Sequence, residues 1–334
     1  MDLLIDTYGT KIGSTGKRIV LSFPQIKEKK EYPVSRLEKI VIMRPASLTT
    51  NAVQLALDND VDIVYMGAFG KPIGRIFSSS PKGIVTLRRG QLEISQSEKG
   101  FELAKTFMKG KCSNQLYFIE KLAFLFNKDF SIELKQMTST LASLGSVPLT
   151  KEGMQQLLGM EGYIAERYFS CMKKLFRFSG RKPQGRDKFN SALNYGYGIL
   201  YNEIERLCLY VGLDPYLGVY HSDRYGKPSL VLDLVEEFRV AVVDMAVMPL
   251  FIEKKMGKRD LFDTVGKGQY QLSAKGKALI VKGVMERLGS KVLWKGKQYT
   301  LKQAMEQQIR TLARYFMGRE MTHESFSISK SSIS

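Results

Sequence analysis

The sequence predicts an α+β fold: a small N-terminal β-rich domain followed by a larger, mainly α-helical C-terminal domain. Three observations lead there. The first 80 or so residues carry short apolar or alternating runs separated by turn residues. From about Leu87 the apolar pattern lengthens to the helical period. Between the two lies Ser78-Ser79-Ser80-Pro81-Lys82-Gly83, which has turn residues and no core content. A chain of 334 residues is also too long for one small core. The expected division is 1–82, 83–320 and a flexible Ser-rich tail over 321–334.

Taken in order, Leu3 to Asp6 and Arg18 to Phe23 read as strands, with Gly13-Ser14-Thr15-Gly16 as a hairpin turn. Tyr32 to Val34 and Lys39 to Met43 are further strands. Thr49-Thr50 caps a short helix through Leu57, and Val61 to Met66 returns to strand. Gly70-Lys71-Pro72 turns into a last strand near Ile73 to Phe77. Helical patterns then follow at roughly 98–109, 114–127, 130–143, 151–178, 187–211, 229–248 and 300–317. Gly212 is placed to end the fifth as a C-cap.

Composition narrows the function classes. No apolar run approaches the roughly 20 residues of a spanning helix, so no membrane role is expected. The N-terminus lacks a basic stretch followed by an apolar one, which points to the cytoplasm. Cys112, Cys171 and Cys208 are scattered and odd in number, so they read as small buried hydrophobes rather than a zinc site or disulfides. The strong global signal is charge: 51 Lys and Arg against 33 Asp and Glu, a net +18. Such an excess attracts polyanions, nucleic acid first among them. Charge alone does not separate that from basicity kept for solubility.

Chemistry is concentrated in three places. On the helix from Lys151, Glu161 lies seven after Met154, three after Leu158 and four before Ala165, which turns it toward the apolar face. A carboxylate facing a core needs a cation or a donor. Gly162 beside it permits close approach of a backbone or a ligand. On the very apolar helix from Ser229, Asp233 and Glu236 are three apart and share a face, and Arg239 is spaced to pair with Glu236. Dipole complementarity accounts for one acid there, not for Asp233, Glu236 and Glu237 together. His221 sits in a Gly-, Tyr- and Asp-rich loop between those helices. One imidazole with two or three carboxylates suits Mg²⁺ or Mn²⁺ better than zinc. Lys173, Lys174, Arg177, Arg181, Lys182 and Arg186 cluster nearby, interleaved with Phe176, Phe178 and Phe189. Cations of that kind neutralise phosphates, and exposed rings can stack on bases. Val265-Gly266-Lys267-Gly268 follows no evident strand and is given no phosphate-cradling role. His323 is given none either.

These motifs resemble one family, the first-numbered CRISPR-associated (Cas) protein, an endonuclease and integrase that inserts new spacers. Met160 to Phe169 is similar to its Glu-Gly-x-x-Ala-x-x-Tyr-Phe motif, and Arg186 to Asn190 with Leu193 to Tyr197 to its next block. Gly212 to His221 resembles its histidine motif, and Asp233 to Arg239 its acidic motif. Leu87 to Gln91 and Lys111 to Gln115 fit less distinctively. The resemblance implies the same two-part fold and a divalent metal, Mg²⁺ or Mn²⁺, on Glu161, His221 and Glu236, with Asp233 as a supporting acid. Where the family often has a proline, this chain has Glu237, which leaves Glu236 and Glu237 as rival ligands; spacing favours Glu236. The implied reaction is attack by a prespacer 3′-hydroxyl on a CRISPR repeat boundary. The implied partners are double-stranded DNA, a second copy joined through the β domain, and the ferredoxin-like second-numbered Cas protein bridging two dimers. A repair nuclease on branched DNA and a non-catalytic DNA-binding scaffold are the rival readings.

Overall fold

The computed structural model describes residues 2–24, 26–67, 72–77, 84–221, 226–257 and 259–328. The N-terminal part is two facing four-stranded sheets. One is built from β2 (Lys11–Thr15), β3 (Arg18–Phe23), β4 (Ile26–Pro33) and β6 (Ser47–Leu48), in the order β4-β3-β2-β6. The other, β1-β5-β7-β8, runs β1 (Asp2–Ile5), β5 (Lys39–Ile42) and β7 (Asp62–Met66) in parallel and adds β8 (Pro72–Ile76) antiparallel. Alternation along β5 sends Ile40 and Ile42 inward, and both are buried. They meet Ile12, Ile19 and Leu21 of the first sheet, and Ala52 and Ala56 of α1 (Thr50–Asp58) complete this core. Thr49 caps α1 as expected, its hydroxyl accepting from Ala52 N–H at 3.3 Å. The first hairpin differs slightly from expectation. Gly13 to Thr15 remain in β2, and the chain turns at Gly16, whose φ of +55° suits a residue without Cβ.

Helices dominate from Ile84. They are α2 (Ile84–Ser95), α3 (Glu98–Phe126), α4 (Ser131–Ala142), α5 (Lys151–Leu175) and α6 (Lys188–Val211). After them come α7 (Ser229–Phe238), α8 (Met245–Ile252), α9 (Ala274–Gly289) and α10 (Leu301–Phe316). A π-helical turn, Arg239–Asp244, joins α7 to α8. This central stretch is the buried helix its composition predicts: Leu230, Leu234, Val235, Phe238 and Val240 to Val243 are at most 1% exposed. The second large core forms around it, and its buried members run from Leu87 onward. The linker expected at Ser78–Gly83 lies outside the described residues.

Four expectations are corrected. The patterns at 98–109 and 114–127 are one helix, α3, which passes straight through Gly110. α9 was not anticipated; Ser273 caps it, and Gly276 lies where a Cβ would come 2.1 Å from Leu261 O. Two hairpins were also missed, β9 (Phe262–Gly266) with β10 (Gln269–Leu272), and β11 (Lys291–Trp294) with β12 (Lys297–Thr300). Val265 to Gly268 is therefore the end and turn of a hairpin. Last, the Ser-rich segment is not loose throughout. Phe326 is 1% exposed and stacks on Phe238 with ring centres 4.9 Å apart, and Ile328 N–H donates to Asn114 Oδ1 at 2.8 Å.

Candidate active site

Three helices and one loop supply the site. α6 ends at Gly212, in the left-handed region at φ +99°, and releases the loop that carries His221. Gln91 of α2 ties down the start of that loop. Its amide donates to Asp214 O and Leu217 O at 2.8 and 2.9 Å and accepts from Asp214 N–H at 3.0 Å. Asp233 of α7, fully buried, holds the other end. Its carboxylate accepts from Val219 N–H (2.7 Å), Tyr220 N–H (3.1 Å) and His221 N–H (2.8 Å). Gly218 allows this approach, because a Cβ there would lie 2.9 Å from Asp233 Oδ2. Asp233 Oδ1 also lies 2.8 Å from His221 Nδ1. A carboxylate oxygen accepts, so Nδ1 is the donor, and in the neutral imidazole Nε2 then carries the lone pair. A carboxylate behind a histidine is the arrangement that fixes a metal-binding imidazole.

Glu161 of α5 and Glu236 of α7 converge on Lys111 of α3. The ammonium pairs with Glu161 Oε1 and lies 2.7 Å from Glu236 Oε2. Each carboxylate gives its other oxygen to a second donor: Tyr220 OH binds Glu161 Oε2, and Arg239 Nη2 lies 3.1 Å from Glu236 Oε1. Burial alone would raise the pKa of Glu236, but Arg239 and Lys111 more than offset it, so the carboxyl falls below its usual value. Burial would likewise lower Lys111, yet Glu236 and Glu161 outweigh it and hold the ammonium charged. Burial and the Glu161 charge push the Tyr220 phenol up, which keeps it a donor. His221 adds its own influence on Glu236, so the imidazole shares this electrostatic neighbourhood.

Glu237 faces the other way. It is fully buried, and its Oε2 accepts from Gln308 Nε2 at 2.9 Å and from Phe326 N–H. Burial pushes its pKa up to about 8. The two neighbouring acids are thus separated: Glu236 faces Lys111 and Glu161, and Glu237 anchors the C-terminal segment. His323, given no role, is buried between Phe107 and Tyr315 in that same segment.

Among the described residues, no group of three or more His, Cys, Asp or Glu side chains is arranged to hold a metal ion as it stands. The donor set nevertheless fits one. Glu161 and Glu236 already share a cation, and the buried Glu236 Oε2 faces it at 2.7 Å. His221 is pinned with Nε2 available.

Sequence reasoning quoted Lys111 only within a motif and gave it no role, and it did not single out Asp244. Asp244 closes the π-helical turn and accepts from Tyr168 OH and Tyr197 OH at 2.7 and 2.6 Å. Arg239 opens the same turn and reaches Tyr201 OH at 2.6 Å. Both line a cavity of about 420 Å³ shared with Lys111, Arg181, Tyr197 and Tyr201. Gly162 meets no neighbour: a Cβ there would find nothing within 4 Å, so the α5 surface beside Glu161 is open.

The basic cluster divides in two. Lys173, Arg177, Lys182 and Arg186 are exposed. Lys174 pairs with Glu133 at 2.6 Å. Arg181 is structural as well as basic, bonding Asn190 Oδ1 at 2.9 Å and Lys182 O at 2.8 Å. The interleaved rings are not free for bases. Phe176, Phe178 and Phe189 pack on one another at 4.7 to 5.2 Å, with Phe251 against two of them.

The family model described as CRISPR associated protein Cas1 matches residues 3–286. A CRISPR-associated endonuclease Cas1 of Archaeoglobus fulgidus is 30% identical over 347 aligned positions, covering 98% of this chain and 99% of its own. The fold is shared with a casposase bound to integration product, at TM-score 0.80, 23% identity and 97% of both chains. It is shared too with a partial Cas6-RT-Cas1–Cas2 complex, at TM-score 0.74, 19% identity and 99% of both chains. The chain belongs to the CRISPR-associated Cas1 family.

Proposed function

We propose that this chain is a metal-dependent DNA endonuclease and integrase of CRISPR adaptation. The observation that carries the reading is the convergence of Glu161 and Glu236 on one cation, beside a His221 hinged to Asp233, in a Cas1-family chain. Glu161, Glu236 and His221 would hold Mg²⁺ or Mn²⁺, which polarises a phosphoryl oxygen and stabilises charge on the attacking and leaving oxygens. The chain's own residues do the rest. Asp233 fixes the imidazole, Tyr220 and Arg239 orient the carboxylates, and the exposed Lys173, Arg177, Lys182 and Arg186 neutralise DNA phosphates.

In the strand-transfer step a prespacer 3′-hydroxyl forms a new P–O bond at the repeat boundary while the original P–O bond breaks, leaving a free 3′-hydroxyl. No protein nucleophile is needed. With water attacking instead, the same site cuts DNA. The relative named as an endonuclease and the casposase fold support both outcomes. The Cas1–Cas2 complex sharing this fold supports a Cas2 partner. In the proposed assembly two copies of this chain pair through the β domain, and the ferredoxin-like Cas2 bridges two such dimers in the cytoplasm.

The test is an integration assay. A short duplex with free 3′-hydroxyls is mixed with a supercoiled plasmid carrying a repeat, Mn²⁺ or Mg²⁺, and Cas2. Covalent joining that is lost in Glu161→Ala and His221→Ala is the expected result. Metal-dependent cutting without joining would favour a repair nuclease on branched DNA. DNA binding with no metal-dependent product would leave a scaffold.

A further inference from the structure

We propose that Lys111 is an exchangeable counter-cation: its ammonium holds Glu161 and Glu236 together in the metal-free protein and must leave when a divalent ion enters. The inference rests on the metal-dependent reading above. Glu161 Oε2 is taken by Tyr220, and Glu236 Oε1 by Arg239. The two oxygens left facing each other, Glu161 Oε1 and Glu236 Oε2, are the ones Lys111 occupies. An ion shared by both carboxylates needs those oxygens, so ammonium and metal compete for one position.

Two further features suit exchange rather than permanent pairing. The ammonium lies 2.7 Å from Glu236 Oε2 and is the cation that faces this buried oxygen, so its departure would expose the oxygen to an incoming ion. Lys111 also lines the cavity of about 420 Å³ shared with Arg181 and Arg239, which gives a long, flexible side chain somewhere to swing. Without any cation, two carboxylates in a buried site repel and are poorly solvated. Lys111 removes that penalty while the site waits, and after exchange its charge lies on the side lined by Arg181.

The experiment uses the wild-type chain and Mn²⁺ alone. Mn²⁺ binding is followed by electron paramagnetic resonance, and an amine-acylating reagent with mass spectrometry reads the peptide containing Lys111. Lys111 is expected to be protected in chelator and to label on the order of tenfold faster when Mn²⁺ saturates the site. Mn²⁺ binding with Lys111 equally protected overturns the exchange and leaves the metal reading standing. Absence of Mn²⁺ binding overturns both. In a second variant, Lys111→Met, Mn²⁺ affinity is expected to rise about tenfold while the metal-free melting temperature falls. A folded Lys111→Met protein with unchanged or weaker Mn²⁺ affinity also overturns the exchange.

Discussion

One carboxylate, that of Asp233, accepts from three consecutive backbone N–H groups and from the imidazole of His221. Replacement by Asn keeps one acceptor and turns an NH₂ group toward donors. Asp233→Asn is therefore expected to lose roughly 2–4 kcal/mol of stability, read by urea unfolding. Strand transfer should fall about 10- to 100-fold, because the loop and the imidazole orientation are loosened while the ligands remain. Unchanged activity in a folded Asp233→Asn protein would remove Asp233 from the site. The neighbouring pair gives a sharper contrast. Glu236→Gln should abolish joining, whereas Glu237→Gln, which mimics a carboxyl already protonated near neutrality, should stay within about threefold of wild type. Equal losses in both would contradict the separation of roles. The inward facing of Glu161 and Glu236 was legible in helical spacing, and His221 stood out by residue type in its loop. Lys111 did not. It follows Gly110 in a polar run that reads as a helix break, and what stabilises the helix there is remote in sequence. A Cβ on Gly110 would lie 2.5 Å from Ser325 Cβ, so the C-terminal segment fills the notch.

At the scale of elements, residues 323–328 act as a strap across the back of α7. Asn114 Nδ2 donates to Glu237 O and Phe326 O at 2.8 and 3.1 Å, and Gln308 Nε2 reaches Glu324 O at 2.7 Å. The helix bearing Glu236 is thus held from behind by the far end of the chain. Phe326→Ala should cost about 3–5 kcal/mol by deleting a buried, stacked ring. An intact denaturation midpoint would show the strap to be decorative. His323 makes the strap sensitive to acid. Burial, and to a lesser extent Lys295, lower its pKa to about 3 from the ordinary 6.5 of a histidine. The unfolded chain binds this proton first as pH falls, so the contribution is fully present above about 6.5 and is lost progressively toward about 3. His323→Gln should therefore flatten the loss of melting temperature over that window, and an identical pH profile would contradict the assignment. The strap and the two C-terminal hairpins were illegible for a common reason. Ser-rich and Lys-rich segments carry no period of their own, and only long-range contacts give them structure. The helices capped by Thr49, Thr150, Asp187 and Thr300 and the parallel strands β1, β5 and β7, whose apolar period matches their geometry, were read close to their observed bounds.

For the whole molecule, a net charge of +18 predicts a polyanionic partner but does not say which cations meet it. The fold makes that distinction. Lys174 is exposed but ion-paired with Glu133, and Arg181 shapes its own loop, whereas among the described residues Lys173, Arg177, Lys182 and Arg186 are exposed with no carboxylate partner. Each exposed cation that contacts a phosphate releases a counterion, so binding weakens with salt in proportion to the number of contacts. The slope of log affinity against log salt for duplex DNA should thus become shallower by about 1 for each of Arg177→Gln and Lys182→Gln. Lys174→Gln should leave it nearly unchanged. The measurement is fluorescence anisotropy over a salt titration, with the melting temperature of each variant checked alongside. Equal slopes for all three variants would move the DNA path away from this surface. A change confined to Lys174→Gln would mean that the pair with Glu133 opens when DNA binds. The predicted order separates charge that the fold has consumed from charge that it leaves for a partner, and total charge gives no such order.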